Sequence, residues 1–296
     1  MNRLTAKDFH PEALRLFDHY VHGRITRRDF IDRAGQFALA GVSGAMLLEA
    51  LRPRFAEATQ VQPTDERIST RYVEFDSPSG QGRARGYLVT PARPAGKLPG
   101  VLVIHENRGL NPHIEDIARR LALENFVAFA PDALFQKGGY PGDEDKAREL
   151  FGTLERGKIQ IDCVAAAYFL KDLPEVNGRV GATGFCFGGG AVNFVATRMP
   201  ELLAAVPFYG GVPPLDGVAA IRAAMLLHFA EFDDNINRQW PAFEAALQAA
   251  GTDYQAFHYP GTQHGFNNDT TPRYDIEAAG LAWGRTVEFF NRHLRA

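Results

Sequence analysis

This 296-residue sequence predicts an α/β fold: one mostly parallel sheet of about eight strands, helices on both faces, an antiparallel N-terminal edge, and a helical extension in front. Three observations carry that reading. From Arg71 onward short β-rich runs alternate with helical patterns, which favours one doubly wound domain over segregated sheets and helices. The runs VLVI, FVAFA and MLLHF are almost continuously apolar, as expected of strands covered on both faces. Residues 181–190, GATGFCFGGG, set a cysteine among close-spaced glycines between a strand pattern and the helical pattern AVNFVATRM.

The elements follow in order. PEALRLFDHYVHG has the periodicity of an amphipathic helix. Next, Thr26-Arg27-Arg28-Asp29-Phe30-Ile31 resembles a twin-arginine export signature ahead of an Ala- and Gly-rich apolar stretch from Ala34 to Leu48, and Ala56-Glu57-Ala58 offers small residues at cleavage spacing. Two readings of residues 1–58 stand. One is a signal that takes the folded protein through the twin-arginine machinery to the periplasm and leaves a chain beginning near Thr59. The other is a pair of helices that stay attached and dock on the body of a cytoplasmic protein. The apolar stretch is shorter than the roughly 18 residues a membrane span needs. Arg52–Thr70 is polar and proline-bearing, with residues 59–70 as the linker to an α/β domain over 71–296.

Eight strands are expected at RYVEFDS, ARGYLVT, VLVIHE, FVAFAPD, RVGATGF, AVPFYG, MLLHFA and YQAFHYP. The first two alternate polar with apolar around PSGQGR, the signature of an exposed hairpin. Helices are expected over 111–124, 143–172, 191–199, 239–250 and 278–293.

Composition narrows the function. With a formal net charge of −3 there is no basic footprint for nucleic acid or an anionic membrane. Only Cys163 and Cys186 are present, so no disulfide framework holds the fold. Cys163 lies in the apolar helical pattern IQIDCVAAAYFL and reads as core. Cys186 sits where a nucleophile elbow would place a reactive group: Gly184 and Gly188 remove side chains that would clash in a sharp turn, and the following helix presents free N–H groups that favour a thiolate.

Reactive groups gather at the C-terminal strand ends of such sheets. After VLVI come His105-Glu106-Asn107-Arg108-Gly109, after MLLHFA come Glu231-Phe232-Asp233-Asp234-Asn235, and after YQAFHYP come Gly261-Thr262-Gln263-His264-Gly265-Phe266. Cys186, Asp233 and His264, spaced by 47 and 31 residues, give the order nucleophile, acid, histidine found in α/β-hydrolases. In that arrangement His264 handles the cysteine proton and Asp233 orients the ring. Asp234 is the competing acid. The Phe187 and Asn107 backbone N–H groups are the expected oxyanion donors. Glu106 either pairs with Arg108 or sits near the thiol. No metal site is read here, since Gly109 breaks HExxH, and no nucleotide site, since Gly184 and Cys186 break GxGxxG. His228, His258 and His293 read as packing or surface residues.

With these residues in place, the chain from about Arg71 to Leu294 resembles the dienelactone hydrolase family, the carboxymethylenebutenolidases. The resemblance rests on GFCFGGG at 184–190, Glu106 to Gly109, Ala130-Pro131-Asp132 and PGTQHGF at 260–266. It implies an α/β-hydrolase fold, a Cys186–Asp233–His264 triad, no cofactor, and hydrolysis of a small lactone or activated ester through a thioester. It also implies that Glu106 contacts and helps activate the thiol. The extended N-terminus and NDTTPRYD at 268–275 mark a sub-branch. One position departs: where the family carries a carboxylate-binding arginine four residues after the histidine, this chain has Asn268. Arg108 and Arg273 are the alternative cations, and Phe135, Phe185, Phe187, Tyr209 and Phe266 either line an apolar pocket or belong to the core. A second reading of the whole is a binding or stress-related protein that keeps the scaffold without efficient turnover.

Overall fold

The computed structural model describes residues 4–37 and 42–295. Strands β1 (Ile68–Ser77), β2 (Gly82–Pro91), β3 (Leu98–Ile104), β4 (Val127–Pro131), β5 (Val176–Phe185), β6 (Ala204–Phe208), β7 (Ala224–Phe232) and β8 (Tyr254–Gln263) form one sheet among the described residues, ordered β1-β2-β4-β3-β5-β6-β7-β8. β1 and β2 pair antiparallel, as do β2 and β4, and every later pairing is parallel. The sheet therefore has the expected antiparallel edge and parallel centre, and all eight expected strands are present.

Alternation along the central strands sends neighbouring residues into different layers. Leu102 and Ile104 of β3, with Met225, Leu227 and Phe229 of β7, face helices α7 (Arg156–Asp172), α8 (Phe187–Arg198) and α10 (Trp240–Ala250). Val101 and Val103, with Leu226 and Ala230, face α5 (Pro112–Leu123) and α11 (Ile276–Leu294). Each fully buried aliphatic side chain contributes about 1.5–3 kcal/mol, so the two layers hold the strand ends rigidly.

Two helix expectations need correction. The segment 143–172 is not one helix but α6 (Glu144–Gly152) and α7. The break follows Gly152, where Thr153 Oγ1 donates back to Leu150 O at 2.6 Å and gives the backbone an alternative to the helical ladder. Helix α8 begins at Phe187 rather than 191. Its glycines are poor helix formers, but close packing requires them: a Cβ on Gly189 would lie 2.5 Å from Phe208 O.

The N-terminal segment folds as α1 (Pro11–Val21), α2 (Arg27–Ala34), α3 (Gly44–Leu51) and α4 (Phe55–Ala58); residues 38–41 of the apolar stretch lie outside the described residues. Phe17, Tyr20, Phe30, Leu48 and Leu51 form a small core of their own. The segment docks over the C-terminal edge of the sheet. Val21 O accepts from Asn107 Nδ2 at 2.9 Å and Arg108 Nη1 at 3.2 Å, and Tyr20 O accepts from Arg148 Nη1 at 2.8 Å. Asp145 takes the Tyr20 hydroxyl and, at 2.9 Å each, Arg27 and Arg52. The stretch read as a linker is pinned as well: Gln60 and Val61 N–H groups donate to the buried Asp116 carboxylate at 3.1 and 2.9 Å. Among the described residues no helix is long and apolar enough to cross a membrane.

One glycine tests this packing. A Cβ on Gly188 would lie 2.1 Å from Ile104 O and 2.7 Å from His105 O, both backbone atoms that cannot swing aside. Gly188→Ala is expected to cost about 3 kcal/mol in urea unfolding; an unchanged midpoint would show that the elbow has room to relax.

Candidate active site

Four parallel strands end one residue before a polar or reactive side chain: β5 before Cys186, β6 before Tyr209, β7 before Asp233 and β8 before His264. Cys186 turns the chain from β5 into α8 at φ 57° and ψ −112°, a conformation that costs an ordinary residue about 1–3 kcal/mol. Neighbours fix it: Cys186 N–H donates to Phe208 O at 3.1 Å, and a Cβ on Gly184 would lie 2.4 Å from Gly188 O. Phe187 opens α8, so its N–H has no acceptor within the helix.

Of the adjacent carboxylates, Asp233 meets the histidine. Its Oδ2 accepts from His264 Nδ1 at 2.5 Å while Oδ1 caps α9 (Asp234–Asn237) at Ile236 N–H, 3.4 Å away. Asp234 is exposed in the first turn of that helix. His264 is buried, and among the described residues its Nε2 has no hydrogen-bond partner. A second imidazole also reaches the sulfur: His22, just past the end of α1, lies with Nε2 3.4 Å from Cys186 Sγ. Its Nδ1 is 2.8 Å from Asp18 O and 3.1 Å from Asp18 Oδ1. Cys186 Sγ and one ring nitrogen each from His22 and His264 lie within 4.8 Å of one another.

The electrostatics follow from this crowding. Burial raises the Cys186 thiol, but the two imidazoles outweigh it and bring the sulfur down to about 6. Burial pulls His264 down, yet Asp233 and the sulfur lift it well above the ordinary imidazole range. Burial likewise opposes a charge on His22, and the sulfur and Asp18 carry it to about 9. At neutral pH the site is therefore a thiolate between imidazolium groups. Cys163 is pushed up instead, by burial and the neighbouring Asp162.

The remaining expected residues divide. Glu106 does not pair with Arg108 and does not bond the thiol; its Oε2 accepts from Asn268 Nδ2 at 3.1 Å, because Arg108 Nε faces Glu144 at 3.3 Å and Arg108 Nη1 holds Val21 O. Arg108 is thus occupied by the docked segment. Arg273 is buried beside the site, 3.8 Å from Asp18 Oδ1, and among the described residues its Nε and Nη1 have no hydrogen-bond partner. Phe185 and Phe266 pack in the core beneath the site, whereas Tyr209 lies tilted against His264 with ring centres 4.8 Å apart. Phe135 stacks on Arg85 and Phe187 edges against Phe151, so neither joins that cluster. His228, bonded to Tyr259 and Thr286, is held neutral by burial, down to about 3.

Two spaces meet the sulfur. An inner cavity of about 50 Å³, bordered by Glu106, Asn268, Arg273 and the docked Phe17 and Tyr20, has room for a water or two. An outer groove of about 410 Å³, bordered by Asn107, Phe187, Tyr209, Arg24 and Arg156, is large enough for a small ester. Asp18, His22, Arg24 and Arg156 were not singled out as site residues from the sequence. A carboxylate and a histidine four apart at the end of an amphipathic helix is the signal that could have found the first two.

The comparisons agree with this geometry. Residues 84–294 match the dienelactone hydrolase family, and residues 1–39 match a separate family described as YqhI-like. An Escherichia coli K12 protein provisionally named a hydrolase fragment, YghX, is 56% identical over 104 residues, 35% of this chain and 89% of its own. A protein of Aquifex aeolicus provisionally named a carboxymethylenebutenolidase is 36% identical over 235 residues, 75% of this chain and 98% of its own. A Klebsiella pneumoniae crystal structure provisionally named a dienelactone hydrolase superposes with a TM-score of 0.65 at 27% identity, covering 76% of this chain and 99% of that one. A sheet that delivers its reactive residues one past each parallel strand, together with the family match over residues 84–294, places the chain in the dienelactone hydrolase family of the α/β-hydrolase superfamily.

Proposed function

We propose that the protein hydrolyses a small lactone or activated carboxylic ester with Cys186 as nucleophile, through a thioester. The observation that carries the reading is His264, held on one side by Asp233 at 2.5 Å and facing the sulfur with an unpartnered Nε2 on the other. In this reaction the Cys186 sulfur attacks the carbonyl carbon, and the Phe187 and Asn107 N–H groups receive the developing oxyanion. His264 gives its Nε2 proton to the departing oxygen and then takes one from the water that cleaves the thioester. Sulfur is a good nucleophile from a thiolate, and a thioester forms most readily when the displaced oxygen is itself stable, as in enol lactones. The outer groove takes the substrate. Arg24 and Arg156, which border that groove, are the cations for an anionic substituent in place of the arginine missing at Asn268, while Arg273 borders the inner cavity.

Turnover of a dienelactone and of a p-nitrophenyl ester tests the reading. Cys186→Ala is expected to lower kcat at least about 10³-fold and Asp233→Asn by a similar order. Full turnover by Cys186→Ala would instead support the scaffold-only binding protein. The pH dependence has a definite sign. Because the thiol sits at about 6 rather than its ordinary 9.0, kcat/KM rises from acid to a plateau above about 6. At pH 5 it is expected to be about tenfold below that plateau. A limb that rises only between pH 8 and 9 would mean an unactivated thiol.

We propose in addition that residues 1–58 stay attached, on the strength of the Asp145, Val21 and Tyr20 contacts. The arginine pair and the apolar stretch favour export as the competing reading. Intact mass spectrometry of the protein from fractionated cells separates them: the full-length mass is expected, and a chain starting near Thr59 that becomes cytoplasmic and uncleaved in Arg27→Lys/Arg28→Lys would establish export.

A further inference from the structure

We propose that the N-terminal segment is part of the active site, with His22, oriented by Asp18, acting as a second catalytic imidazole that holds the Cys186 sulfur as a thiolate. The inference rests on the cysteine reading above and adds a residue from a segment that lies outside the match to the hydrolase family.

The geometry separates the two histidines. His22 Nδ1 faces the Asp18 carbonyl and carboxylate, both acceptors, so Nδ1 carries a hydrogen and Nε2 is the atom turned to the sulfur 3.4 Å away. The ring follows the last residue of α1, where the negative end of the helix favours a cation. Its position is enforced from outside the segment, because Asn107, Arg108 and Arg148 bind the last carbonyls of that helix. His264 also acts on the sulfur electrostatically, but its Nε2 makes no hydrogen bond of normal geometry in the resting site. Both imidazoles favour the thiolate, and His22 is the one that keeps its hydrogen bond to the sulfur while His264 turns to the reacting oxygen.

Several groups surround the sulfur. Asp18 comes from α1, His22 and Arg24 from just past its end, Glu106 from the loop after β3, Arg156 from the start of α7, Tyr209 after β6, Asp233 after β7, and His264, Asn268 and Arg273 after β8. Cations and carboxylates are interleaved, and those closest to Sγ are the two imidazoles. The elevated His22 and depressed Cys186 values agree with an ion pair between them.

The steps balance with His22 protonated throughout. In acylation the sulfur lone pair forms the C–S bond, the C–O bond breaks, and the departing oxygen takes the His264 proton. In deacylation His264 takes a proton from water, the hydroxide oxygen bonds to the carbonyl carbon, and the C–S bond breaks with its electron pair returning to sulfur. His22 N–H receives that charge. Product acid then ionises to solvent. A thiolate leaves readily only if something stabilises it, so His22 acts most on the second half-reaction.

The test uses the full-length chain with a chelator present throughout. Iodoacetamide alkylation of Cys186, read by peptide mass against inert Cys163, gives the thiol midpoint without any turnover. His22→Gln is expected to move that midpoint up by about one pH unit or more, and Asp18→Asn to move it less in the same direction. Pre-steady-state hydrolysis of a p-nitrophenyl ester by His22→Gln should keep a burst, with deacylation slowed roughly tenfold and acyl-enzyme visible by intact mass. His22→Asn, which keeps a neutral donor, serves if the glutamine variant folds poorly. An unmoved alkylation midpoint at unchanged thermal stability would overturn the inference. Faster turnover would also overturn it and make His22 a plug. Either result leaves the cysteine reading to be decided by Cys186→Ala alone.

Discussion

The peptide around Cys186 turns from strand to helix at a positive φ, and that turn leaves no space for side chains at 184 and 188. Its cost is met by the two packed layers around the sheet, which hold β3, β5 and β6 in register against it. Once the sulfur is lifted above the strand ends, each loop leaving a parallel strand needs to supply only its first residue. This is why Tyr209, Asp233 and His264 stand one position past β6, β7 and β8, and why residues far apart in sequence meet.

Charge organises what the backbone positions. The thiolate is favoured by imidazolium groups, and each imidazolium is in turn favoured by a carboxylate on its far nitrogen: Asp233 behind His264, Asp18 behind His22. Such an alternating chain withstands burial better than any one of its charges alone, because every member is paired. Glu106 sits at its margin, bonded to Asn268, so the position where the family has an arginine instead fixes a carboxylate.

Much of the sheet was legible because buried parallel strands write themselves as continuous apolar runs, and the elbow because its glycines are sterically required. Cys186, Asp233 and His264 follow from the same rule of strand ends. The break at Thr153 was hidden, since a single hydroxyl bonding back to Leu150 O decides it within an otherwise helical pattern. Arg108 and Glu106 read as natural partners from sequence, but the choice belonged to Glu144 and Asn268, which arrive from other elements. The N-terminal helix was legible as a helix. Its contact with the sulfur was not, because a docking geometry leaves no periodic trace.

Asp145 gathers the contacts of that docked segment onto one carboxylate, taking the Tyr20 hydroxyl and both Arg27 and Arg52, with Arg148 at 3.8 Å. Burial opposes its charge, while Tyr20 and the arginines hold its affinity for a proton below the usual carboxylate range. Attachment is thus strongest while Asp145 is ionised and loosens as acid neutralises it. Dissolved electrolyte weakens the same attraction without altering the apolar contacts beneath. The covering of the sulfur therefore responds to ionic strength.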